Sequence, residues 1–204
     1  MKTRDRILEC ALQCFNARGE GNVSVLEIAT ELGISPGNLY YHFRGKEPLV
    51  LALFERFRQE LAPLLQPPPD DTRLTLEDCW LFLHLLVERL EAYRFLFQDL
   101  ANLAERQPAL ARGVRAWLGQ LKHCLTDLLG RLQDQARLHG EPTVISELVE
   151  QITLTLLFAL DYQRILGRPA DIDQVVYQLM MLVSPHLSEE SREDTASRAR
   201  RYRN

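Results

Sequence analysis

Long apolar runs are missing from this 204-residue sequence. A helix that crosses a bilayer needs about 20 consecutive apolar residues, and no run approaches that length. The first six residues, MKTRDR, are mostly charged and lead into an amphipathic pattern, so we expect no signal peptide. These features predict a cytoplasmic protein that has no membrane-spanning helix and no membrane partner.

Cysteine patterns typical of metal or redox sites are missing too. The four cysteines, Cys10, Cys14, Cys79 and Cys124, form no CxxC pair and have no zinc-type spacing to histidine. Cys10 and Cys14 are four residues apart, so they share one helix face. We interpret the cysteines as small core residues, because free cysteine is usually buried and unreactive. We expect neither a metal nor a cofactor.

The sequence also lacks the signatures of common enzymes. It contains no glycine-rich phosphate loop, no GxSxG or HExxH motif, and no paired carboxylates in a recognisable setting. His84 and His123 could act as bases, but a histidine on a helix is more often structural or simply exposed. The sequence therefore favours a protein that is not an enzyme.

An excess of positive charge is absent as well. The net charge is −4, which at first sight argues against a nucleic-acid partner. Residues 1–47 are balanced, however, with six basic and six acidic side chains. Because only one face of a protein contacts phosphate, the positions of the basic groups matter more than the total.

Helical periodicity is what the sequence does contain. Apolar residues recur at three- and four-residue steps from Ile7 onward, and no stretch alternates like a strand. Gly19 and Gly21 can end the first helix in a left-handed conformation. We therefore predict an all-α fold of about nine helices.

A stiff segment, QPPPDD at residues 66–71, separates the first four predicted helices from the rest of the chain. Beyond it the pattern predicts helices over about 76–93, 95–106 and 108–138, with a possible break of the last at Gly113 or Gly119. Two further apolar stripes, starting at Val144 and Ile172, predict two final helices. The polar residues after 187 are predicted to form a disordered tail.

One segment near the N-terminus carries start and stop signals for two short helices joined by a turn. Ser24 and Glu27 have the spacing of a capping box, which starts the first helix. Gly33 can take the positive-φ position of the turn. Ser35 caps the second helix, and Pro36 suits its first position, where a missing N–H costs nothing.

These two helices have the pattern of a helix-turn-helix unit. Its small core is predicted to contain Ile28, Ala29, Leu32, Ile34 and Leu39. Such a unit places the amino end of its second helix against base edges while the first helix crosses the DNA backbone. Asn38 can offer a donor and an acceptor to adenine. Lys46, at the start of the next helix, is predicted to bind phosphate.

The predicted DNA contacts extend over the second helix and both of its flanks. They are Ser24, Ser35, Pro36, Gly37, Asn38, Tyr40, Tyr41, His42 and Lys46. For the two serines, capping alone is the alternative interpretation, and for Tyr40 it is packing against the first helix.

The segment VSVLEIATELGISPGNLYYHFRGKEPLVLALF, Val23 to Phe54, resembles the DNA-binding domain of tetracycline-repressor (TetR) family regulators. The matching residues are Ile28-Ala29, Gly33-Ile34-Ser35, Leu39-Tyr40-Tyr41-His42-Phe43, Lys46 and Leu49, with Ile7-Leu8, Ala11, Phe15 and Gly19 before them. The resemblance covers roughly the first quarter of the chain. Ser24 replaces the commoner threonine without loss of the cap, and Pro48 is an unusual but tolerable first-turn residue.

The resemblance implies a two-fold symmetric homodimer that binds a double-stranded DNA operator on two half-sites. The implied parts are a three-helix DNA-binding domain at 1–47, a helical effector-binding and dimerisation bundle at 48–187, and a tail at 188–204. A fourth helix joins the first two parts, and the two final helices are candidates for the dimer interface. The implied function is a repressor released by a small-molecule effector. The alternative is a DNA-binding protein of the same fold controlled by a protein partner, or one without an effector.

Bulky aromatic and nearby polar residues of the bundle are candidates for the effector pocket, because helical bundles bind ligands in apolar cavities with a few polar groups. The candidates are Trp80, His84, Tyr93, Phe97, Trp117, His123, Phe158 and Tyr162. For each of them, packing in the core is the alternative. The sequence does not select a chemical class of effector.

Overall fold

The computed structural model describes residues 2–67, 73–193 and 195, and within them the fold is all-α, as predicted. The helices are α1 Thr3–Arg18, α2 Val25–Glu31, α3 Pro36–His42, α4 Lys46–Leu61, α5 Leu76–Ala92, α6 Arg94–Gln98, α7 Leu100–Arg106, α8 Pro108–Asp134, α9 Pro142–Ile165 and α10 Ile172–Val183. Most of the proline-rich segment predicted as a linker lies outside the described residues.

Two boundaries differ from the sequence prediction. The helix expected over 95–106 is two helices, because the backbone of Asp99 leaves the helical region at φ −135° and ψ 29°. The break expected at Gly113 or Gly119 is absent, and α8 runs through both glycines. A Cβ atom at Gly113 would lie 2.7 Å from the Phe54 ring, so this glycine permits close packing on α4.

The chain divides into two compact units, and unit 1 comprises the residues up to Glu60 together with Tyr93–Arg115. In unit 1, α1 packs on α2 and α2 packs on α3. The α6 segment joins this group through aromatic contacts: Phe95 lies 5.2 Å from Phe15, and Phe57 lies 5.4 Å from both Tyr93 and Phe97, centroid to centroid. The helix-turn-helix therefore shares its unit with α6 and α7.

Polar contacts reinforce this packing in unit 1. The Asn16 side chain accepts a hydrogen bond from the Phe95 backbone N–H at 3.1 Å. The Tyr93 hydroxyl donates to Glu60 at 2.8 Å, and Arg56 donates to both Glu60 and Glu9. Burial, followed by the hydrogen bond to Glu60, raises the pKa of the Tyr93 hydroxyl, so this group stays a donor at neutral pH.

Unit 2 comprises Leu61–Ala92 and the residues from Ala116 onward. Its core is formed where α5 packs against α9 and α10. Arg164 on α9 pairs with Asp161 and with Glu91 of α5. The sequence-based boundaries at 47 and 187 stay a prediction, and the contacts divide the chain at other positions.

Part of the predicted disordered tail is ordered. Residues 189–193 are helical, and Ser191 and Thr195 are buried. The backbone just before them is held by hydrogen bonds from Ser188 N–H to the Arg137 carbonyl and from His139 N–H to the His186 carbonyl. The tail prediction was therefore wrong for 188–193, and residues 194 and 196–204 lie outside the described residues.

By length and composition alone, α9 could cross a membrane, which the sequence prediction did not anticipate. One such helix is weak evidence, because core helices meet the same criteria. One face of α9 is buried in unit 2 through Ile145, Leu148, Val149, Ile152, Thr153, Leu156, Leu160 and Gln163. The opposite face carries exposed apolar side chains, and 39% of the most apolar stretch of α9 is buried.

The four cysteines are buried, in agreement with their interpretation as core residues. Burial is the largest cause that raises the pKa of Cys10 and Cys79 to about 12 and that of Cys124 to about 11. These three thiols stay protonated at neutral pH and are poor nucleophiles.

Candidate nucleic-acid interface

The start of α2 is fixed by the predicted capping box. The Ser24 hydroxyl accepts from the Glu27 backbone N–H at 3.2 Å, and the Ser24 backbone N–H donates to the Glu27 carboxylate at 2.7 Å. The bonds that the Ser24 backbone N–H and hydroxyl donate to the Glu27 carboxylate hold the pKa of that carboxyl below its usual value. The Ser24 hydroxyl also donates to that carboxylate at 2.7 Å. Capping therefore uses the hydroxyl that was predicted to contact DNA.

The turn between α2 and α3 is built around Gly33. Its φ of 64° lies in the left-handed region that favours glycine. The Gly33 and Ile34 N–H groups donate to the Thr30 and Ala29 carbonyls at 3.0 Å each, which closes the end of α2. Two residues, Ile34 and Ser35, then connect the turn to the start of α3 at Pro36.

The first turn of α3 is capped as predicted. The Ser35 hydroxyl accepts from the Asn38 backbone N–H at 3.2 Å, and Pro36 occupies the first turn. Leu39 is fully buried and anchors the helix on α2. A seven-residue helix has little stability of its own, so this anchor and cap fix its position.

The outer face of α3 is open to solvent. Pro36, Gly37, Asn38, Tyr40 and Tyr41 are exposed, and His42 is half-buried. Tyr41 is 84% exposed and Tyr40 is 48% exposed. Packing against the first helix, the alternative to DNA contact for Tyr40, can therefore involve only part of its side chain. The Tyr41 and His42 rings meet edge to face at 5.1 Å. The structure thus presents a continuous set of polar and aromatic groups along one short helix.

The Lys46 side chain makes contacts within the protein that the sequence did not predict. Its ammonium donates to the backbone carbonyls of Glu20 at 2.9 Å and Val23 at 3.2 Å, and it lies 3.5 Å from the Glu20 carboxylate. An ammonium has three donors, and these two carbonyls use two of them. The side chain therefore ties the start of α4 to the α1–α2 connection, and its predicted phosphate role stays a prediction.

The Glu20 carboxylate is the centre of this small network. Its side chain is almost completely buried, and Arg106 at the end of α7 donates to it at 2.9 Å. Two cations from distant parts of the sequence thus meet one buried carboxylate. Sequence reasoning missed the network because no local pattern links residues 20, 46 and 106.

Arg4 is a further residue beside α3 that the sequence prediction did not include. Its guanidinium carbon lies 5.0 Å from the centroid of the Phe43 ring, at the C-terminal end of α3. The distance is that of a cation–π contact. The N-terminal cluster of basic residues could have suggested a DNA contact, but no sequence spacing predicts the pairing with Phe43.

The eight residues predicted for the effector pocket are distributed over both units. Tyr93 and Phe97 are buried in the aromatic group of unit 1. In unit 2, Trp80 and Trp117 are buried, and His84 lies 3.4 Å from the carboxylates of Glu88 and Asp173. The remaining three, His123, Phe158 and Tyr162, are exposed.

Phe158 and Tyr162 do not face the core of unit 2, and their predicted place in an effector pocket stays a prediction. They are 59% and 58% exposed and lie on the outer face of α9. The reason is helical geometry: residues 156, 160 and 163 occupy the core-facing side, so 158 and 162 point away from it.

Two cavities of unit 2 are lined by other residues. A groove of about 370 Å³ runs between α8 and α9. It is lined by Lys122, Thr126, Gly130, Gln133, Pro142, Ile145, Ser146, Val149 and Glu150. An enclosed apolar void of about 20 Å³ lies among α5, α8, α9 and α10. Of these two cavities, the groove has the size of a small-molecule site, about 300–1,000 Å³.

Two family models match the chain. One, described as bacterial regulatory proteins of the tetR family, matches residues 7–53, and the other, TetR bacterial transcriptional repressor, matches residues 56–195. A solved TetR-family transcriptional regulator from Marinobacter aquaeolei VT8 is 30% identical, with a TM-score of 0.91 and 99% of each chain covered.

More distant relatives share the fold or part of the sequence. The SmeT–triclosan complex is 19% identical, with a TM-score of 0.70 over 94% of each chain, which is a likeness of fold alone. The nucleoid occlusion factor SlmA of Shewanella baltica is 27% identical over 139 residues. That match covers 66% of this chain and 64% of the relative, so the chain spans just under two thirds of the length of the curated relative.

The contacts of Lys46 predict an effect on stability. Lys46→Met leaves the buried Glu20 carboxylate with one cation instead of two, and we expect it to lower the free energy of unfolding by about 2 kcal/mol. The matched control is Lys122→Met, which removes an exposed pair with Glu150 and should cost less than about 1 kcal/mol. Urea denaturation of both variants checks this. Equal losses would contradict the structural role of Lys46.

Proposed function

Because the chain belongs to the TetR family of bacterial transcriptional repressors, we propose that it is a sequence-specific DNA-binding repressor that a small-molecule effector releases from its operator. The observation that carries the DNA-binding part is the exposed outer face of α3. Bacterial operator DNA lies in the cytoplasm, and the proposal places the protein there.

The geometry of α3 suits the major groove. The groove is about 12 Å wide and admits one helix, and the side chains of Asn38 and Tyr41 project from α3 into solvent. The Ser35 cap uses the serine hydroxyl and the Asn38 backbone N–H, which leaves the Asn38 amide available to a base. Gly37 adds no side chain between helix and DNA.

Replacing Asn38 tests the base contact. Asn38→Ala should reduce the preference for the operator over random DNA by about 1–3 kcal/mol, because the alanine methyl group cannot form a bidentate hydrogen bond with a base. The operator is first obtained by sequencing the duplexes that the wild-type protein selects from a random pool. Affinities are then measured by fluorescence anisotropy at one fixed salt concentration.

The matched control for this substitution is Asn102→Ala, which changes an exposed asparagine of α7 that bonds to Asp99. It should leave discrimination unchanged. If Asn38→Ala kept full discrimination, α3 would not read bases in the proposed way.

A dimer is the second part of the proposal, and its support lies on α9. Large apolar side chains are exposed at helical spacing along this helix, namely Leu154, Phe158, Tyr162 and Ile165. Their exposed fractions range from 56% to 82%. Contiguous apolar surface of this kind marks an interaction site, and a two-fold contact pairs the same patch on both copies. We take this stripe as the centre of the homodimer interface.

Charge placed in the stripe should dissociate the dimer. Phe158→Glu puts a carboxylate into the apolar contact and is expected to raise the dimer dissociation constant by about 100-fold, the effect of losing a central interface residue. Leu51→Glu, at an exposed leucine of α4, is the control and should remain dimeric. Analytical ultracentrifugation at micromolar concentration separates the outcomes. A monomeric wild-type protein would refute the dimer.

The effector is the third part. TetR-family regulators couple ligand binding to DNA release, and a coupling free energy of about 1–3 kcal/mol changes affinity by several-fold to a hundredfold. The groove between α8 and α9 combines Ile145 and Val149 with the polar side chains of Thr126 and Ser146. This mixture is typical of small-molecule sites, and the groove is our candidate place for the effector.

Thermal-shift screening of a small-molecule library tests the effector. A compound that binds the folded protein at 100 times its Kd stabilises it by about 2.7 kcal/mol, and a true effector must also weaken operator binding at fixed salt. Ser146→Trp fills the groove and should abolish the shift, whereas Gln120→Trp, at an exposed α8 residue outside the groove, should not. Compounds that bind without changing operator affinity would contradict release by ligand.

The second candidate function is control by a protein partner, and the similarity to the nucleoid occlusion factor SlmA favours it. In that case the DNA-binding unit would be the same, and no small molecule would change operator affinity. A purified partner protein that altered DNA binding while the compound library had no effect would select this candidate.

A further inference from the structure

Basic side chains near α3 can bind DNA phosphates when they are not already occupied by partners within the protein. A helix-turn-helix protein is held in register by such contacts. Two of the six basic residues up to residue 47 already have partners within the protein. Lys46 donates to two backbone carbonyls and lies 3.5 Å from the Glu20 carboxylate, and Arg18 forms an exposed ion pair with Glu27 at 3.5 Å. An exposed cation without an acidic partner is a better candidate for a phosphate contact.

Arg4 has the required position. It lies in the first turn of α1, is exposed, and its guanidinium stands over the ring of Phe43. Phe43 directly follows the last residue of α3 and is 4% exposed. The ring is thus fixed in the core, and it holds the guanidinium beside the C-terminal end of α3, the end that carries Tyr41 and His42.

The guanidinium keeps its donors available in this position. A cation–π contact uses the face of the guanidinium plane, whereas its five N–H donors point outward along the edges. Within the residues that the structure describes, no carboxylate or carbonyl accepts from Arg4. Lys2, Arg6 and Arg44 are exposed as well, but no comparable contact holds them near α3.

A guanidinium held in this way suits a phosphate better than a mobile side chain does. Its planar fork matches two phosphate oxygens, and the ring reduces the rotamer freedom that binding would otherwise remove. When a helix lies in the major groove, the sugar–phosphate backbone passes its ends. The guanidinium at the end of α3 is therefore placed to meet a backbone phosphate.

We propose that Arg4 is a phosphate-binding residue of the α3 surface and that Phe43 is its positioning residue. The proposal rests on the proposed DNA-binding function and adds to it the residue that neutralises the backbone at this end of α3. It adds Arg4 to the predicted phosphate contact of Lys46, which stays a prediction.

Salt dependence of DNA binding tests the phosphate contact. The probe is a random-sequence duplex of about 40 base pairs, long enough for two half-sites one helical turn apart. Arg4→Ala should weaken binding about tenfold on every duplex. The slope of log Kobs against log salt should become shallower by about 0.9 for each phosphate that a protomer no longer neutralises. Discrimination between sequences should not change.

Arg6→Ala is the matched control, because it removes the same charge from the same turn of α1 without an aromatic partner. It should change the slope much less than Arg4→Ala. If the two variants lowered the slope equally, the effect would be the general electrostatic field and the Arg4 contact would be refuted. An unchanged slope in Arg4→Ala would refute it as well.

A double-mutant cycle tests the positioning role of Phe43. Phe43→Leu keeps an apolar residue in the core but removes the ring, and it should weaken DNA binding several-fold when Arg4 is present. In the Arg4→Ala background it should add no further loss, because the ring then has nothing to hold. Losses that add in full would refute the positioning role.

Thermal unfolding followed by circular dichroism verifies that each variant is folded at the temperature of the binding measurement. If Phe43→Leu is not folded, Phe43→Met replaces it in the cycle. A wild-type protein that bound no duplex at any salt concentration would overturn the proposed function, and this inference with it. Loss of the Arg4 effect in a protein that still selects an operator would overturn the inference alone.

Discussion

The buried carboxylate of Glu20 is the constraint on which the DNA-binding unit depends. Removing a carboxylate from water costs several kcal/mol, and here the cost is offset by Lys46 and Arg106. These cations come from the start of α4 and the end of α7, so all three segments must be in place before the charge is compensated. A buried ion pair of this kind contributes less to the free energy of unfolding than to conformational specificity, which is the selection of one arrangement of the paired segments. The pairing therefore fixes how α4 leaves the helix-turn-helix.

The same constraint explains why the helix-turn-helix is not a separate body. Arg106 and the aromatic residues of α6 lie far along the sequence from α1, yet they share its compact unit. The short helices α2 and α3 bury few residues of their own, and a domain of about 47 residues is marginal by itself. Contacts from residues 93–115 supply the missing burial. The segments α6 and α7 thus contact, respectively, α1 and Glu20, which lies just beyond the end of α1.

The parts of the fold that the sequence predicted well are those encoded within a few residues. Ser24 with Glu27, Gly33, and Ser35 with Pro36 each carry a local signal, and all three features have the predicted geometry. The assignment of the segments as α-helices was equally predictable, because hydrophobic periodicity is a property of a single segment. The exposed surface of α3 followed from these local signals, since burying Leu39 leaves the opposite face outward.

The errors concern features that depend on distant residues. Gly113 was expected to break a helix, but it is retained in a continuous α8 where the Phe54 ring occupies the space of a side chain. Phe158 was predicted to line a pocket or pack in the core, but it is exposed on α9, because periodicity gives the faces of a helix without saying which one a partner covers. The internal contacts of Lys46 were not predicted, because Glu20, its partner, is separated from it by 26 positions. None of these relations has a local signature.

Charge pairing bears on the objection that the overall charge raises against DNA binding. Residues 1–47 carry equal numbers of acidic and basic groups, but three of the acidic groups, Glu9, Glu20 and Glu27, are paired inside unit 1. Two of the cations that neutralise them, Arg56 and Arg106, lie outside residues 1–47. The count by sequence thus includes acids that are already neutralised and omits the arginines that neutralise them. The potential near α3 is set by the positions of the unpaired groups, which the count over residues 1–47 does not describe.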